Sequence, residues 1–317
     1  MVIEVRRDTM TICFGAGTVK RFHHREHREH RAQLRNSVVS VASVVSAFQI
    51  SGENRGARNT VTANNVEEIR ATEIMVTAGA RELRDGETVV VGLGLPQVAC
   101  VLARRTHAPG LSLLLEIGVT NMDPVDTPIG LADSRIFYRA TAWTGFLDIL
   151  GMNLHRGVVN VGFLGALEID RYGNINTTLL KEDDKVRYFN GSAGGNDVAS
   201  LAGRVIVIMR HEKRKLPMAV AHLTSPGFPG GKSRKELGLR GAGPQRVITD
   251  KAVIGFDAET HSAALLSVHP GIALEDVIEN TGFPLRIPKP VPATPLPTPE
   301  ELRLLRQEID PKNVYLG

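Results

Sequence analysis

A short apolar run that ends in a carboxylate constrains the fold of this chain more than any other stretch. Leu113, Leu114 and Leu115 follow the turn signal Pro109-Gly110 and precede Gly118. A run this short, enclosed by turn residues, is typical of a strand buried on both faces. Such strands belong to parallel sheets that helices cover on both sides. We therefore predict an α/β fold, with an open, mostly parallel sheet flanked by helices.

The residue that ends this run, Glu116, is the first candidate for chemistry. An ionised side chain is costly to desolvate unless something nearby pairs with it or uses it. In open α/β sheets, ligands bind in the crevice beyond the carboxyl ends of the strands. Structural ion pairs also place carboxylates at such edges. The spacing alone therefore leaves two interpretations open: a catalytic carboxylate, or one that caps a turn or pairs with an arginine.

Composition excludes several classes of protein. The chain has 317 residues, of which 42% are hydrophobic and 23% charged, and its net charge is only +4. These values are ordinary for a soluble globular protein and give no basis for nucleic-acid binding by the main body. No apolar run approaches the roughly 18 residues of a membrane helix. Cys13 and Cys100 form neither a metal motif nor a disulfide framework, which favours a cytoplasmic protein.

Residues 1–65 differ from the rest, and we expect them to form a basic extension that is disordered or loosely helical and lies outside the catalytic fold. The stretch 23–31 is a polar repeat that holds four of the ten histidines. His23 and His27 have the spacing of two ligands on one helix face, but no third ligand is evident, so we expect no metal. The apolar stretch 37–48 begins too late for an ordinary signal peptide. A regulator that uses this basic arm on nucleic acid is an alternative from a different functional class.

Residues 66–288 are predicted to form the main domain, and residues 289–317 a proline-rich segment with a final helix. Apolar periodicity and turn residues set the expected elements. The segment 181–185 is predicted to be a charged, exposed loop, and 172–174 a tight turn. The predicted helices are 66–83, 97–105, 198–201, 274–281 and 299–309, and the predicted strands are 88–91, 113–115, 158–164, 205–209, 247–249, 252–256 and 263–269.

Two glycine-rich turns could present backbone N–H groups to a ligand. The turn 92–96 follows a predicted strand, but Gln97 stands where a dinucleotide fingerprint requires glycine. The turn 191–197 precedes a predicted helix and offers unpaired N–H groups to an anion, or it is a plain connection. The basic run 211–215 directly follows another strand, where it could meet a phosphorylated ligand or form a solvated edge.

Taken in order, the motifs of the main domain resemble the β subunits of family I coenzyme A-transferases of the glutaconate type. Each motif is weak alone, but together they extend over some 250 residues, from about 66 to the end of the sequence. The matching segments are VGLGLP at 91–96, E-x-G at 116–118, D-x-Y-G-N-x-N at 170–176, GSAGGND at 191–197, HEKRK at 211–215, TSPGF at 224–228, TDK at 249–251, ENTGF at 279–283 and EIDP at 308–311.

The resemblance implies the CoA-transferase fold, which is ribose-5-phosphate isomerase-like, and an active site completed by a homologous α subunit. It places the catalytic glutamate in the E-x-G motif, at Glu116. Coenzyme A is then a substrate and part of a covalent intermediate, with no permanently bound cofactor and no metal. The expected reaction moves CoA between carboxylic acids, with a dicarboxylic acid as the expected substrate. We expect the chain to be inactive without its partner.

Six further residues are candidates for oxyanion stabilisation or CoA binding: Gly94, Gly118, Ala193, Gly194, Gly195 and Asn196. Glycine at 118 is expected to let CoA approach the backbone. The chain departs from the family pattern at Ile117 and at Ala193, where the family loop has glycine. An alanine still supplies its N–H, but it is strained if the position requires a positive φ.

The main alternative on the same fold is an acyl-CoA hydrolase or a ring-cleaving acyl-CoA enzyme, because fold does not fix function. The resemblance implies that such relatives can lack the β-subunit glutamate. The presence of Glu116 therefore favours CoA transfer.

Overall fold

The computed structural model describes residues 2–6, 9–14, 18–23, 68–124, 127–182 and 185–317. Near the start of the chain it contains a three-stranded antiparallel sheet of β1 (Val2–Arg6), β2 (Thr9–Phe14) and β3 (Thr18–His23). We did not expect strands here. The rest of the predicted disordered extension, including His27 and the apolar stretch 37–48, lies outside the described residues.

A second unit includes the residues from 68 onward, and its described residues contain thirteen further strands. In chain order they are β4 (Thr88–Val91), β5 (Ser112–Leu115), β6 (Val119–Thr120), β7 (Ala142–Trp143), β8 (Val161–Gly165), β9 (Glu168–Ile169), β10 (Ile175–Asn176), β11 (Leu179–Glu182), β12 (Lys185–Tyr188), β13 (Arg204–Ile208), β14 (Pro244–Ile248), β15 (Ala252–Phe256) and β16 (Ala263–Val268).

Nine of these strands form one sheet in the order β16-β15-β14-β13-β8-β4-β5-β6-β7. The five central strands, from β14 to β5, are parallel to one another, and antiparallel strands complete both edges. The predicted open, mostly parallel sheet is confirmed. All five central strands end at the same edge, which we call the carboxyl edge.

Five α-helices accompany the sheet within the described residues: α1 (Ala71–Arg81), α2 (Leu95–Arg105), α3 (Gly195–Leu201), α4 (Leu274–Glu279) and α5 (Pro299–Leu304). Helix α1 begins five residues later than predicted, because the Glu73 carboxylate accepts a hydrogen bond from the Arg70 N–H at 2.8 Å and fixes the start there. In the part of the chain that the structure describes, none of the helices has the length and apolar character needed to cross a membrane.

Strand β5 is buried on both faces, as its sequence predicts. Leu113 and Leu115 belong to the largest hydrophobic cluster, with Phe163 and residues of α1 and α2. Leu114 points to the opposite face and joins a second cluster that includes Leu150 and Val198. Alternate side chains of one strand thus reach two separate cores, which is the pattern of an internal strand in a helix-covered sheet.

The carboxyl-terminal residues pack into the same body. Leu304, Leu305 and Leu316 are buried members of the largest cluster. The Leu316 carbonyl accepts a hydrogen bond from the Thr72 hydroxyl at 2.9 Å, which ties the last residues to the start of α1. The proline-rich segment predicted at 289–317 therefore shares the core of residues 68–288.

One predicted loop is wrong. The charged segment 181–185 contributes to the antiparallel pair of β11 and β12, and its residues 183 and 184 lie outside the described part. Charged residues usually mark loops, but a hairpin exposed to solvent tolerates them because its backbone groups pair with each other. The predicted tight turn at 172–174 is present, with Gly173 at φ +69° between β9 and β10.

Candidate active site

Strand β5 delivers Glu116 to the carboxyl edge beside the end of β4. The chain turns immediately, and the Gly118 N–H donates to the Leu115 carbonyl at 2.9 Å. Gly118 has φ +102°, and a Cβ here would overlap the carbonyl oxygen of Thr144. Glycine at 118 thus has a structural reason that differs from the expected approach of CoA: it admits the backbone of the segment that follows β7. A direct role of Gly118 in CoA binding stays a prediction.

The glycine-rich loop 191–196 meets Glu116 at the start of α3. The Gly194 N–H donates to Glu116 Oε2 at 3.1 Å. A Cβ on Gly194 would lie 2.6 Å from that oxygen and 2.8 Å from Leu150 Cδ1. Only glycine therefore allows the backbone N–H to approach the carboxylate while Leu150 packs against the same residue.

The Glu116 carboxylate is half-buried and has few partners. Burial raises its pKa above the ordinary value, and the hydrogen bond from Gly194 partly opposes this rise. Among the described residues, Glu116 takes part in no ion pair and its Oε1 has no hydrogen-bond partner. Of the two structural alternatives, pairing with an arginine does not fit this geometry, whereas the hydrogen bond from Gly194 is compatible with a carboxylate that holds a turn. A carboxylate with one free oxygen in a partly desolvated position is suited to act as a nucleophile.

Ala193 adopts the left-handed backbone conformation, with φ +42°. The family loop has glycine at this position, and alanine is strained here because a Cβ at positive φ costs about 1 kcal/mol. The hydrogen bond to Glu116 comes from Gly194, and Ala193 flanks it. Ala193 therefore lies in the loop next to the carboxylate, but the contact itself belongs to its neighbour Gly194, and a role of Ala193 in oxyanion stabilisation or CoA binding stays a prediction.

Gly195 and Asn196 hold the loop together. The Gly195 N–H donates to the Ser192 carbonyl at 2.9 Å, and the Asn196 side-chain amide donates to the Thr224 carbonyl at 2.7 Å. The Thr224 hydroxyl in turn lies 2.8 Å from that of Thr178. Three segments that are distant in sequence thus meet at the glycine-rich loop. The role of Gly195 and Asn196 in binding CoA or an oxyanion stays a prediction.

Gly94 lies in different surroundings. It precedes α2 with φ +87° and ψ −136°, a conformation that glycine alone adopts readily. The nearest side chain to the position of its missing Cβ is Tyr315, at 3.5 Å. Gly94 is at the carboxyl edge, where its neighbour is the carboxyl-terminal segment, and its role in oxyanion stabilisation or CoA binding stays a prediction.

One set of residues beside Glu116 was not identified from the sequence. We name it the apolar rim, and it consists of Trp143, Phe146 and Leu147. Trp143 is 69% exposed and Leu147 is 73% exposed. The rim follows β7, and the Thr144 backbone lies against Gly118, so these side chains stand next to the turn that carries Glu116. Three large exposed apolar residues in one segment indicate a surface that another molecule covers.

A second polar cluster occupies the other half of the carboxyl edge. His211 follows β13 and His269 follows β16, and both are buried. His269 donates from Nε2 to the Thr249 carbonyl at 2.7 Å, while Nδ1 lies 2.9 Å from the Thr294 hydroxyl. Burial lowers the pKa of His269 to about 4 and also lowers that of His211. These histidines are neutral, paired structural groups.

Comparison with known proteins identifies a matching family model and several similar sequences. The family model described as Coenzyme A transferase matches residues 72–280. The β subunit of the 3-oxoadipate CoA-transferase of Pseudomonas knackmussii is 37% identical over 236 residues, which cover 74% of this chain and 91% of that protein. The cholesterol ring-cleaving hydrolase IpdB subunit of Mycobacterium tuberculosis is 28% identical, over 76% of this chain and 95% of its own length.

Glutaconate CoA-transferase of Acidaminococcus fermentans is similar in both sequence and structure. Its β subunit is 35% identical over 254 residues, covering 77% of this chain and 94% of that protein. Its crystal structure superimposes with a TM-score of 0.72 at 32% identity, over 81% of this chain and 99% of that chain.

Proposed function

This chain belongs to the coenzyme A transferase family, and on that premise we propose that it is the β subunit of an enzyme that transfers CoA through a thioester on Glu116. The observation that carries the proposal is the Glu116 carboxylate itself. It is half-buried at the carboxyl edge, accepts one backbone hydrogen bond and forms no ion pair among the described residues.

The first half of the proposed reaction loads CoA onto the enzyme. The Glu116 carboxylate attacks the thioester carbonyl of an acyl-CoA, and the C–S bond breaks to give a mixed anhydride and the CoA thiolate. The thiolate then attacks the glutamyl carbonyl of the anhydride. The donor acid leaves as a carboxylate, and a thioester between Glu116 and CoA remains.

The second half runs these steps with a new acid. The acceptor carboxylate attacks the Glu116 thioester, which releases the CoA thiolate and forms a second mixed anhydride. The thiolate attacks the acceptor's acyl carbonyl, so that the new acyl-CoA departs and the Glu116 carboxylate is restored. No general base is needed, because a carboxylate acts as a nucleophile in its ionised form and has no proton to lose.

Gly194 suits the role of oxyanion donor when the glutamyl carbonyl is attacked. Its N–H already points at Glu116 Oε2, the oxygen that becomes the carbonyl oxygen of the thioester. In the tetrahedral intermediate this oxygen carries the negative charge, and a positioned donor is typically worth a factor of about 100 to 1,000 in rate. Ala193, Gly195 and Asn196 hold the loop in the conformation that aims this N–H. Gly94 remains a candidate donor from the other side of the edge.

Similarity to the named relatives supports the partner and the substrate class. Both CoA-transferase relatives are, by name, one subunit of a larger enzyme, which supports an α subunit as the partner of this chain. The exposed apolar rim beside Glu116 is a surface that such a subunit would cover. Glutaconate and 3-oxoadipate are both dicarboxylic acids, which supports a dicarboxylic acyl group. We expect the enzyme to act in the cytoplasm and the chain to be inactive alone.

Chemical trapping tests the covalent intermediate. We would reconstitute the complex with its α subunit, add an acyl-CoA without an acceptor, and treat it with borohydride or hydroxylamine. The expected result is inactivation that depends on acyl-CoA, with the modification located on Glu116 by peptide mass spectrometry. The Glu116→Gln complex should show no modification.

One observation supports the hydrolase alternative: the Mycobacterium tuberculosis relative is a ring-cleaving hydrolase by name. A hydrolase that activates water directly forms no glutamyl thioester. Loss of the CoA thioester without an acceptor acid, together with an unmodified Glu116, would overturn the transferase proposal in favour of hydrolysis.

A further inference from the structure

One buried arginine, Arg234, has no carboxylate partner. Its side chain belongs to a residue that is 5% exposed, and among the described residues no carboxylate pairs with its guanidinium. Burial lowers the pKa of Arg234 to about 10, so the group is still charged at neutral pH. A buried charge without a counterion is costly unless polar atoms surround it. The atoms around this guanidinium therefore have to replace a carboxylate.

Those atoms are backbone carbonyl oxygens from three segments of the chain. Arg234 Nη2 donates to the Ala199 and Ser200 carbonyls at 2.7 and 3.1 Å, in the last turn of α3. In the segment 226–227, both carbonyls accept from Nη1 at 3.2 Å. Nε donates to the Arg240 carbonyl at 2.9 Å. One planar group thus fixes the distances between three segments.

Two of these segments also control the hydrogen bond to Glu116. Helix α3 begins directly after Gly194, whose N–H donates to Glu116 Oε2 at 3.1 Å. The side chain of Asn196, in the first turn of α3, donates to the Thr224 carbonyl at 2.7 Å, two residues before the segment 226–227. Arg234 therefore ties the end of α3 to the same stretch of chain that holds its start.

Apolar packing alone does not fix the position of α3. Val198 is buried in the cluster that contains Leu114 and Leu150, and this contact holds the helix against the sheet. The hydrophobic effect is non-directional, so it resists separation more than sliding. Hydrogen bonds to carbonyl oxygens are directional, and a guanidinium also suits the negative end of a helix. Because α3 has only seven residues, a shift of its last turn also moves its first turn.

We propose that Arg234 is a positioning residue for the reaction at Glu116. It fixes α3 so that the Gly194 N–H stays aimed at the glutamyl oxygen that becomes negative in the tetrahedral intermediate. Arg234 itself contacts neither Glu116 nor the substrate. The inference rests on the proposed function, because it takes Glu116 as the nucleophile, and it adds a residue outside the glycine-rich loop to the groups on which the rate depends.

Rates per active site test the proposal. We would reconstitute Arg234→Ala and Arg234→Lys with the α subunit and measure kcat and KM with the dicarboxylic acyl-CoA that the wild type turns over fastest. Each rate is divided by the number of sites that load CoA onto Glu116, determined by trapping. A variant that only folds less well then shows no loss.

The kcat per site should fall by about 10- to 100-fold in Arg234→Ala, because a misplaced donor loses most of its effect on the transition state. The KM for the acyl-CoA should stay within about twofold, since a contact made only in the transition state is weakened. Arg234→Lys keeps the charge but not the planar fork, and it should recover little of the rate. An unchanged kcat per site in Arg234→Ala, or full recovery in Arg234→Lys, would overturn the proposal.

The pH profile gives a second readout, which a purely structural role would not move. The hydrogen bond from Gly194 favours the charged form of Glu116 and so lowers its pKa. If the N–H is no longer aimed at the carboxylate, the pKa of Glu116 rises. The acid limb of kcat/KM in Arg234→Ala should then lie at higher pH than in the wild type. A limb at the wild-type position would contradict the proposal.

Arg81 supplies the matched control. It ends α1, at the opposite edge of the sheet, donates to the Pro295 and Leu296 carbonyls at 2.9 and 3.0 Å, and pairs with Glu301 at 2.7 Å. Arg81→Ala removes a comparable set of bonds, so it should lower stability while kcat per site and the acid limb stay at their wild-type values. An equal loss of kcat per site in this control would overturn the proposal.

Two further outcomes are distinguished. If Arg234→Ala does not assemble with the α subunit, Arg234→Lys decides, and a wild-type rate per site there would contradict the proposal. A wild-type complex that yields no trapped thioester would overturn the proposed function and this inference with it. Normal trapping in the wild type, with wild-type rates per site in both Arg234 variants, would overturn this inference alone.

Discussion

The two halves of the carboxyl edge treat buried polar groups in opposite ways. At the ends of β13, β14 and β16, His211 and His269 are buried with hydrogen bonds at both ring nitrogens. At the end of β5, Glu116 is half-buried with one backbone partner and one oxygen that no described residue pairs. The two histidines of the first half are fully paired, as polar groups in a structural core are. In the second half, Glu116 keeps one oxygen without a partner among the described residues.

A second carboxylate sharpens the contrast. Asp170 is buried and accepts hydrogen bonds from the Tyr172 N–H, the Asn174 N–H and the Asn174 side-chain amide, at 2.9, 3.1 and 3.0 Å. A buried charge is tolerated when it is surrounded by donors in this way. Burial alone therefore does not identify a reactive carboxylate. A carboxylate oxygen without a hydrogen-bond partner is the better criterion.

The largest expected effect comes from replacing Glu116. Glu116→Gln keeps the shape but removes the nucleophile, so kcat/KM of the reconstituted complex should fall by about 10⁴-fold or more. Because burial raises the pKa of Glu116, its charge opposes folding at pH 7, and the variant should be more stable than the wild type. Steady-state rates and urea unfolding check the two parts. Glu259→Gln, in an exposed loop, should change neither; a comparable rate loss there would remove the distinction between the two halves.

Acid should weaken the histidine half. The pKa of His269 is lowered to about 4 in the folded chain, against about 6.5 when unfolded. Above pH 6.5 both states are neutral and the histidine adds no pH dependence. Between pH 6.5 and 4 only the unfolded state binds the proton, so the free energy of unfolding should fall by about 3 kcal/mol.

Urea unfolding at several pH values, for the wild type and His269→Gln, measures this slope. His211 contributes in the same direction, and the nearby Asp250 carboxylate favours the charged forms and reduces the effect. The same slope in both proteins would show that His269 does not titrate as its surroundings indicate.

Removing the charge of Asp170 should cost stability and leave the chemistry alone. Asp170→Asn replaces an acceptor oxygen by an amide that faces N–H donors, and we expect a loss of about 2 kcal/mol in the free energy of unfolding. At a temperature where the complex stays folded, its kcat should be near that of the wild type. Asp197→Asn, at a carboxylate without a hydrogen bond among the described residues, is the matched control for stability. A drop in kcat comparable to that of Glu116→Gln would contradict the distinction between Asp170 as a structural carboxylate and Glu116 as a reactive one.

The smallest effect concerns the loop next to Glu116. Ala193→Gly should stabilise the chain by up to about 1 kcal/mol, because φ +42° suits glycine better than alanine. Ala78→Gly, inside α1, should have the opposite sign and cost about 1 kcal/mol. Thermal unfolding of both variants checks the signs. A destabilised Ala193→Gly would mean that the left-handed conformation is not the one present in solution.

The sequence was sufficient to identify the segments that form the site, but not the atomic contacts between them. The apolar run of β5, its abrupt end at Glu116 and the glycine-rich turn before α3 all have local signals, and the structure brings them together. Which N–H meets the carboxylate depends on how α3 packs under Leu150, a tertiary contact. No spacing rule distinguishes Gly194 from Ala193 in that respect.

The features missed were those with weak or contradictory local signals. Strands β6 and β7 have two residues each and depend on tertiary pairing, β6 with β5 and β7 with β6, so periodicity could not reveal them. The hairpin of β11 and β12 is charged and solvent-exposed, which locally resembles a loop. The apolar rim had a usable signal, since Trp143, Phe146 and Leu147 fall within five residues of each other in a segment without regular periodicity.

Trp143 is the only tryptophan of the sequence, and it stands exposed on the rim beside Glu116. The intrinsic fluorescence of the chain therefore comes from one indole at the surface where we expect the α subunit. In the free chain its emission should be red-shifted and readily quenched by iodide. Docking of the α subunit would exclude water from the ring and shift the emission to the blue, so that assembly could be titrated without any label.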